Sequence, residues 1–67
     1  MKYILKSFYI SANGKKVPCS SFELGTRYTI SQLMHAKRKC RQEYLKNGSV
    51  RDKPDKTRRL QYELIYK

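Results

Sequence analysis

Apolar and polar positions divide this chain into four segments. Tyr3 to Ile10 is rich in Tyr, Phe, Ile and Leu and reads as a strand that ends at Ser11-Ala12-Asn13-Gly14. Asn-Gly tolerates the positive φ angles of a type I′ hairpin, so the chain is predicted to return antiparallel over residues 15–24. Pro18 has no N–H to give a ladder, which predicts an edge or a bulge in this second strand, and Gly25 ends it. Both faces of the first strand are apolar. Tyr3, Leu5 and Tyr9 share one, and Ile4, Phe8 and Ile10 share the other, so the pattern leaves open which face packs inward.

The third segment has a helical period. Thr29 and Gln32 have capping-box spacing, and a helix is predicted from Ile30 to Lys46, stopped by the αL-prone pair Asn47-Gly48. At about 100° per residue, Leu33, Ala36, Cys40 and Tyr44 form one stripe with Ile30 beside it, the predicted core face. Gln32, His35, Lys39, Gln42, Glu43 and Lys46 lie opposite. Met34 and Leu45 occupy a flank, with Lys37 and Arg41 between it and the core. Residues 49–57 read as a polar loop. Over residues 58–66, Leu60, Tyr62, Leu64 and Tyr66 alternate with Arg59, Gln61 and Glu63, the period of a half-buried strand.

The order β-β-α-β predicts an α+β fold: a three-stranded, mainly antiparallel sheet with one helix packed on one face. The last strand has two candidate neighbours, so the strand order stays open. Sixty-seven residues make one domain, 1–67, with a core so small that a homodimer is plausible. No apolar run approaches the length of a membrane span, and no leader is evident. Two cysteines are too few for a disulfide scaffold, so Cys19 and Cys40 are expected as free thiols in a cytoplasmic protein, a Cys19–Cys40 bridge being the alternative.

Charge changes the picture most. Sixteen Lys and Arg face five Asp and Glu, a formal net charge of +11. The excess is not a tail: residues 1–22 alone hold four lysines and no acid, and the rest of the chain stays basic. With Met1 at its start, the sequence is expected to be a complete small gene product. Like charges on a small domain repel one another, which points to a polyanionic partner.

The expected function is therefore non-enzymatic binding of nucleic acid, DNA or RNA. The contacts fall to Lys15, Lys16, Lys37, Arg38, Lys39, Arg41, Arg58 and Arg59, with Arg38 or Arg41 as base reader. Neutralising about six phosphates gives a log–log salt slope near −5, so binding at physiological salt needs apolar or base contacts as well. Tyr3 and Tyr9 can supply them by stacking on unpaired bases if the opposite strand face is the core. The alternative is a modulator, of the kind phages and mobile elements encode, that docks on an acidic protein surface through Met34, Lys37, Arg41 and Leu45. A plainer reading has Lys37 and Arg41 snorkel over the sheet edge.

Catalytic chemistry is sparse. His35 is alone on the polar helix face, and about 140° around the helix separates it from Cys40, which argues against shared coordination of a metal. The carboxylates are scattered, and no glycine-rich phosphate loop appears. Arg58, Arg59, Tyr62 and Tyr66 resemble, in composition only, the residues with which RNA can be cleaved without a histidine pair. The sequence calls for no cofactor and no metal.

Overall fold

The first strand takes the centre of the sheet. In the computed structural model, which describes residues 1–49 and 52–67, the elements are β1 (Tyr3–Ile10), β2 (Lys16–Gly25), α1 (Ile30–Asn47) and β3 (Gln61–Tyr66). The sheet order is β2-β1-β3 and both pairings are antiparallel. This is the expected α+β arrangement, with α1 carrying the chain across β1 to its far side. Val50 and Arg51, read as part of the polar loop, lie outside the described residues.

Local chemistry explains the element ends. The Thr29 hydroxyl accepts the Gln32 N–H at 3.1 Å, and the Gln32 side chain accepts the Thr29 N–H at 2.8 Å, a complete capping box. At the other end Gly48 has φ 71° and donates its N–H to the Tyr44 carbonyl at 2.7 Å. A Cβ at Gly48 would also run into the backbone of residues 52–54, so glycine is required there twice over.

The hairpin differs from expectation. Gly14 alone in the turn has positive φ (79°), and the Gly14 N–H bonds back to the Ser11 carbonyl at 2.9 Å. A type I′ turn needs positive φ at Asn13 as well, whereas a three-residue loop ending on an αL glycine does not. The Ser11 hydroxyl accepts the Lys15 N–H, and that local bond favours the longer loop.

Pro18 does lie in an edge strand beside an irregularity: the β1–β2 register shifts between Lys6 and Phe8. Buried Ser7 serves this bulge. Its hydroxyl donates to the Ser20 carbonyl at 2.7 Å and accepts the Ser20 N–H at 3.0 Å. The Ser20 hydroxyl donates in turn to the Cys40 carbonyl at 3.0 Å, tying sheet to helix.

The inner strand face is the one holding Leu5, Ser7 and Tyr9. Leu5 packs with Ala36 and Cys40, and Tyr9 packs with Val17, Tyr44 and Leu60; Tyr62 touches both groups. Removing each large side chain from water contributes roughly 1.5–3 kcal/mol, and these few must carry the domain. Ile30 leaves the predicted core stripe: as the first helical residue it is 78% exposed, and burial on the helix begins with Leu33 and Ala36. The last strand begins at Gln61 rather than residue 58. The Arg58 N–H is spent on the Asp55 carbonyl at 3.1 Å and the Arg58 carbonyl on Arg41, so that stretch stays out of the ladder.

Candidate nucleic-acid interface

Every carboxylate of the chain is engaged internally. Glu23 pairs with Lys2 at 2.9 Å, Glu63 with Lys16 at 3.6 Å, and Asp55 with Arg58 at 4.0 Å. Glu43 accepts from the Asn47 amide at 2.8 Å, and Asp52 accepts from the Tyr9 hydroxyl. Asp55 also takes the Thr57 hydroxyl and N–H, and these bonds, with Arg58, hold its carboxyl below the ordinary value. Only three basic side chains, Lys2, Lys16 and Arg58, are thereby compensated among the described residues. The remaining positive charge has no carboxylate partner there.

Two of the three compensated cations, Lys2 and Lys16, share one face with Lys6, which makes none of these ion pairs. Alternation along β1 puts Lys2 and Lys6 on the face turned away from the helix, with Ile4, Phe8 and Ile10. Cross-strand register adds Lys16, Glu23, Glu63 and Ile65 to that face. There Lys16 lies over the Phe8 ring, 4.3 Å from its centre, and its charge meets Glu63.

On the helix, Arg38 and Lys39 are exposed and make none of the ion pairs found; Lys15 in the hairpin loop and Arg59 ahead of β3 are exposed and unpaired in the same sense. Lys37 is exposed over the Tyr62 ring, 5.7 Å from its centre, as the snorkelling reading requires.

Two predicted contacts are occupied elsewhere. Arg41 is half-buried, and its guanidinium donates to the carbonyls of Arg58 and Lys56, both at 3.2 Å. It clamps the loop that leads into β3, so its fork is not free to read a base. Arg58 is also half-buried, with its guanidinium 4.0 Å from the centre of the Tyr9 ring. The eight predicted residues therefore do not form one surface. Arg38, Lys39 and Lys37 are exposed on the helix, Arg59 and Lys15 on two separate loops, and Lys16 on the face turned away from the helix.

The tyrosines are placed otherwise as well. Tyr9 is 1% exposed and cannot stack on a base. Tyr3 is half-buried between the rings of Tyr28 and Tyr66, whose centres lie 4.9 and 4.6 Å away. Other aromatics lie closer to the free cations. The seam between β2 and α1 holds two adjoining open grooves of about 340 and 350 Å³. Phe22 lines both; His35 borders the first and Lys39 the second, and the two rings meet edge to face at 6.0 Å. Sequence reading took His35 for an isolated surface residue and passed over Phe22. A helix wheel shows where a side chain points, and only the β1–β2 register shows what it meets.

The alternative protein-docking face is likewise divided. Met34 is 55% exposed, but Leu45 packs against the core and Arg41 is committed to the loop. Cys19 and Cys40 are both free, and burial raises both thiols above their ordinary value. They are thus held protonated, the opposite of what a nucleophile needs. Among the described residues no three of His, Cys, Asp and Glu come together as a metal site, and no helix is long and apolar enough to cross a membrane. No protein-family model, curated protein or solved structure matches this chain.

Proposed function

We propose that this chain is a non-enzymatic nucleic-acid-binding protein of the cytoplasm, and that it binds through the helix side of its sheet. The observation that carries the reading is the set of exposed cations that no carboxylate compensates among the described residues. The carboxylates are engaged within the chain, and the cations they leave uncompensated include Arg38, Lys39, Arg59 and Lys15, exposed on α1 and on two separate loops. Such side chains neutralise phosphates with little internal competition, and releasing the condensed counterions drives binding.

The grooves along the β2–α1 seam refine the ligand. Phe22 and His35 offer ring surface beside Lys39, an arrangement suited to an unstacked base and useless to a stacked one. Single-stranded nucleic acid is accordingly the favoured ligand over duplex. Docking on an acidic protein surface has less support, because two of its four helix residues are engaged within the fold.

The test is a fluorescence titration of the full chain with single-stranded DNA, single-stranded RNA and duplex DNA near physiological salt. Submicromolar binding to a single strand, about tenfold or more tighter than to duplex, is the expected result. Equally weak binding to all of them that disappears with added salt would overturn the proposal.

A further inference from the structure

The two outer strands of the sheet are finished differently. β2 carries Pro18 and a register shift, devices that spoil an edge for further pairing. β3 pairs with β1 without irregularity over residues 61–66 and contains no proline. Lys2 and Lys67 exchange both backbone hydrogen bonds, so their carbonyls and N–H groups point inward across the β1–β3 ladder. Alternation then turns the N–H and carbonyl groups of Tyr62, Leu64 and Tyr66 outward, along an edge that no strand pairs with among the described residues.

The same three residues project their side chains to the helix side. There α1 packs on β1 and β2, leaving Leu64 38% and Tyr66 53% exposed; on the helix, Met34 is 55% and Ile30 78% exposed. An unprotected edge bordered by exposed apolar side chains invites another strand.

We propose that a second copy of this chain pairs on this edge, β3 antiparallel to β3, about a twofold axis through Leu64. The strand's own sequence selects that register. Centred on Leu64, it opposes Leu64 to the partner's Leu64 and Tyr62 to the partner's Tyr66, so every outward backbone group of the three residues is paired. Glu63 then falls opposite the partner's Ile65, with the partner's Lys67 on one diagonal and the partner's Glu63 on the other, so no like charges are directly opposed. Centring on Glu63 would set Glu63 against itself, like charges directly opposed. Centring on Ile65 would set only residues 64–66 of β3 against one another, a shorter ladder than residues 62–66. Both copies are strongly basic, so screening strengthens this association, whereas the same salt weakens phosphate binding.

Sedimentation equilibrium of the full chain, from about 10 µM to about 1 mM at low and high salt, tests the proposal. The expected result is a dimer that grows with both concentration and salt. Leu64→Lys sets like charges on the axis, and Leu64→Pro removes an outward N–H while sparing the β1 ladder; each should weaken association at least about tenfold. Ile10→Lys, on the open face, should not. Hydrogen exchange of the unmodified protein is independent of any variant's folding: amides 62, 64 and 66 should gain protection as concentration rises, and amides 61, 63 and 65 should be protected throughout. A monomer under all conditions, association that survives Leu64→Pro, or exchange at 62, 64 and 66 that ignores concentration would overturn it.

Discussion

The two faces of the sheet use charge and bulk in opposite ways. On the open face Lys2 and Lys16 are matched by Glu23 and Glu63, and Ile4, Phe8 and Ile65 remain half-buried without a covering layer. On the helix side the apolar side chains are buried beneath α1, while the exposed helix cations have no carboxylate partner among the described residues. One face pairs both of its acids with its own cations, with Lys6 left over; the other holds the fold together from below and carries cations with no acid beside them among the described residues. Total charge therefore says less about binding than where the acids are placed.

The largest effect expected from this contrast is on stability. Tyr44→Ala empties a fully buried site under the helix and should cost about 3–5 kcal/mol by urea unfolding, whereas Phe8→Ala on the open face should cost about 1–2 kcal/mol. The Tyr44 hydroxyl is buried and has no hydrogen-bond partner among the described residues. Tyr44→Phe should consequently be neutral or stabilise by up to about 1 kcal/mol. Equal losses at Tyr44 and Phe8 would break the comparison.

A smaller effect separates structural cations from free ones. Arg41→Met gives up two hydrogen bonds from a charged donor and should cost about 1–3 kcal/mol, read by urea unfolding. In a fluorescence titration its nucleic-acid affinity should fall less than that of Arg38→Glu. The reverse ranking would return Arg41 to the interface.

The smallest effect is a pH dependence. Burial raises the Cys40 thiol in the folded chain, so the unfolded chain loses that proton first. Above the ordinary thiol value of 9.0 the unfolded state binds fewer protons, and stability should decline as pH rises further. Cys19 and Tyr62 are raised by burial too and act in the same direction. Cys40→Ala should flatten the early part of the decline in melting experiments between pH 8 and about 10.5.

Much of the fold was legible in the sequence because it is written in local periods. β1, the capping box, the stripe of Ala36, Cys40 and Tyr44, and the edge character of β2 at Pro18 all follow from neighbours within a few residues. Two things were not legible. The inner face of β1 is undecidable from its own pattern, since Tyr3-Leu5-Tyr9 and Ile4-Phe8-Ile10 are both apolar and only packing against α1 breaks the tie. The commitments of Arg41 and Arg58 depend on contacts 15 to 49 residues distant, with the carbonyls of residues 56 and 58 and the Tyr9 ring. Composition counted them as free charge. Even the start of β3 shifted for that reason, because Arg58 spends its backbone on the loop and on Arg41.

The central claim is that the helix side, and not the charge of the whole chain, binds nucleic acid. Arg38→Glu and Lys6→Glu change net charge equally, one on the helix and one on the open face. Single-strand affinity measured across a salt series for both variants tests the claim most directly. Arg38→Glu should weaken binding at every salt concentration and reduce the log–log salt slope by about 1, with Lys6→Glu close to the unmodified protein. Equal losses in the two variants would mean that only total charge matters, and a larger loss for Lys6→Glu would place the ligand on the open face; either result contradicts the account.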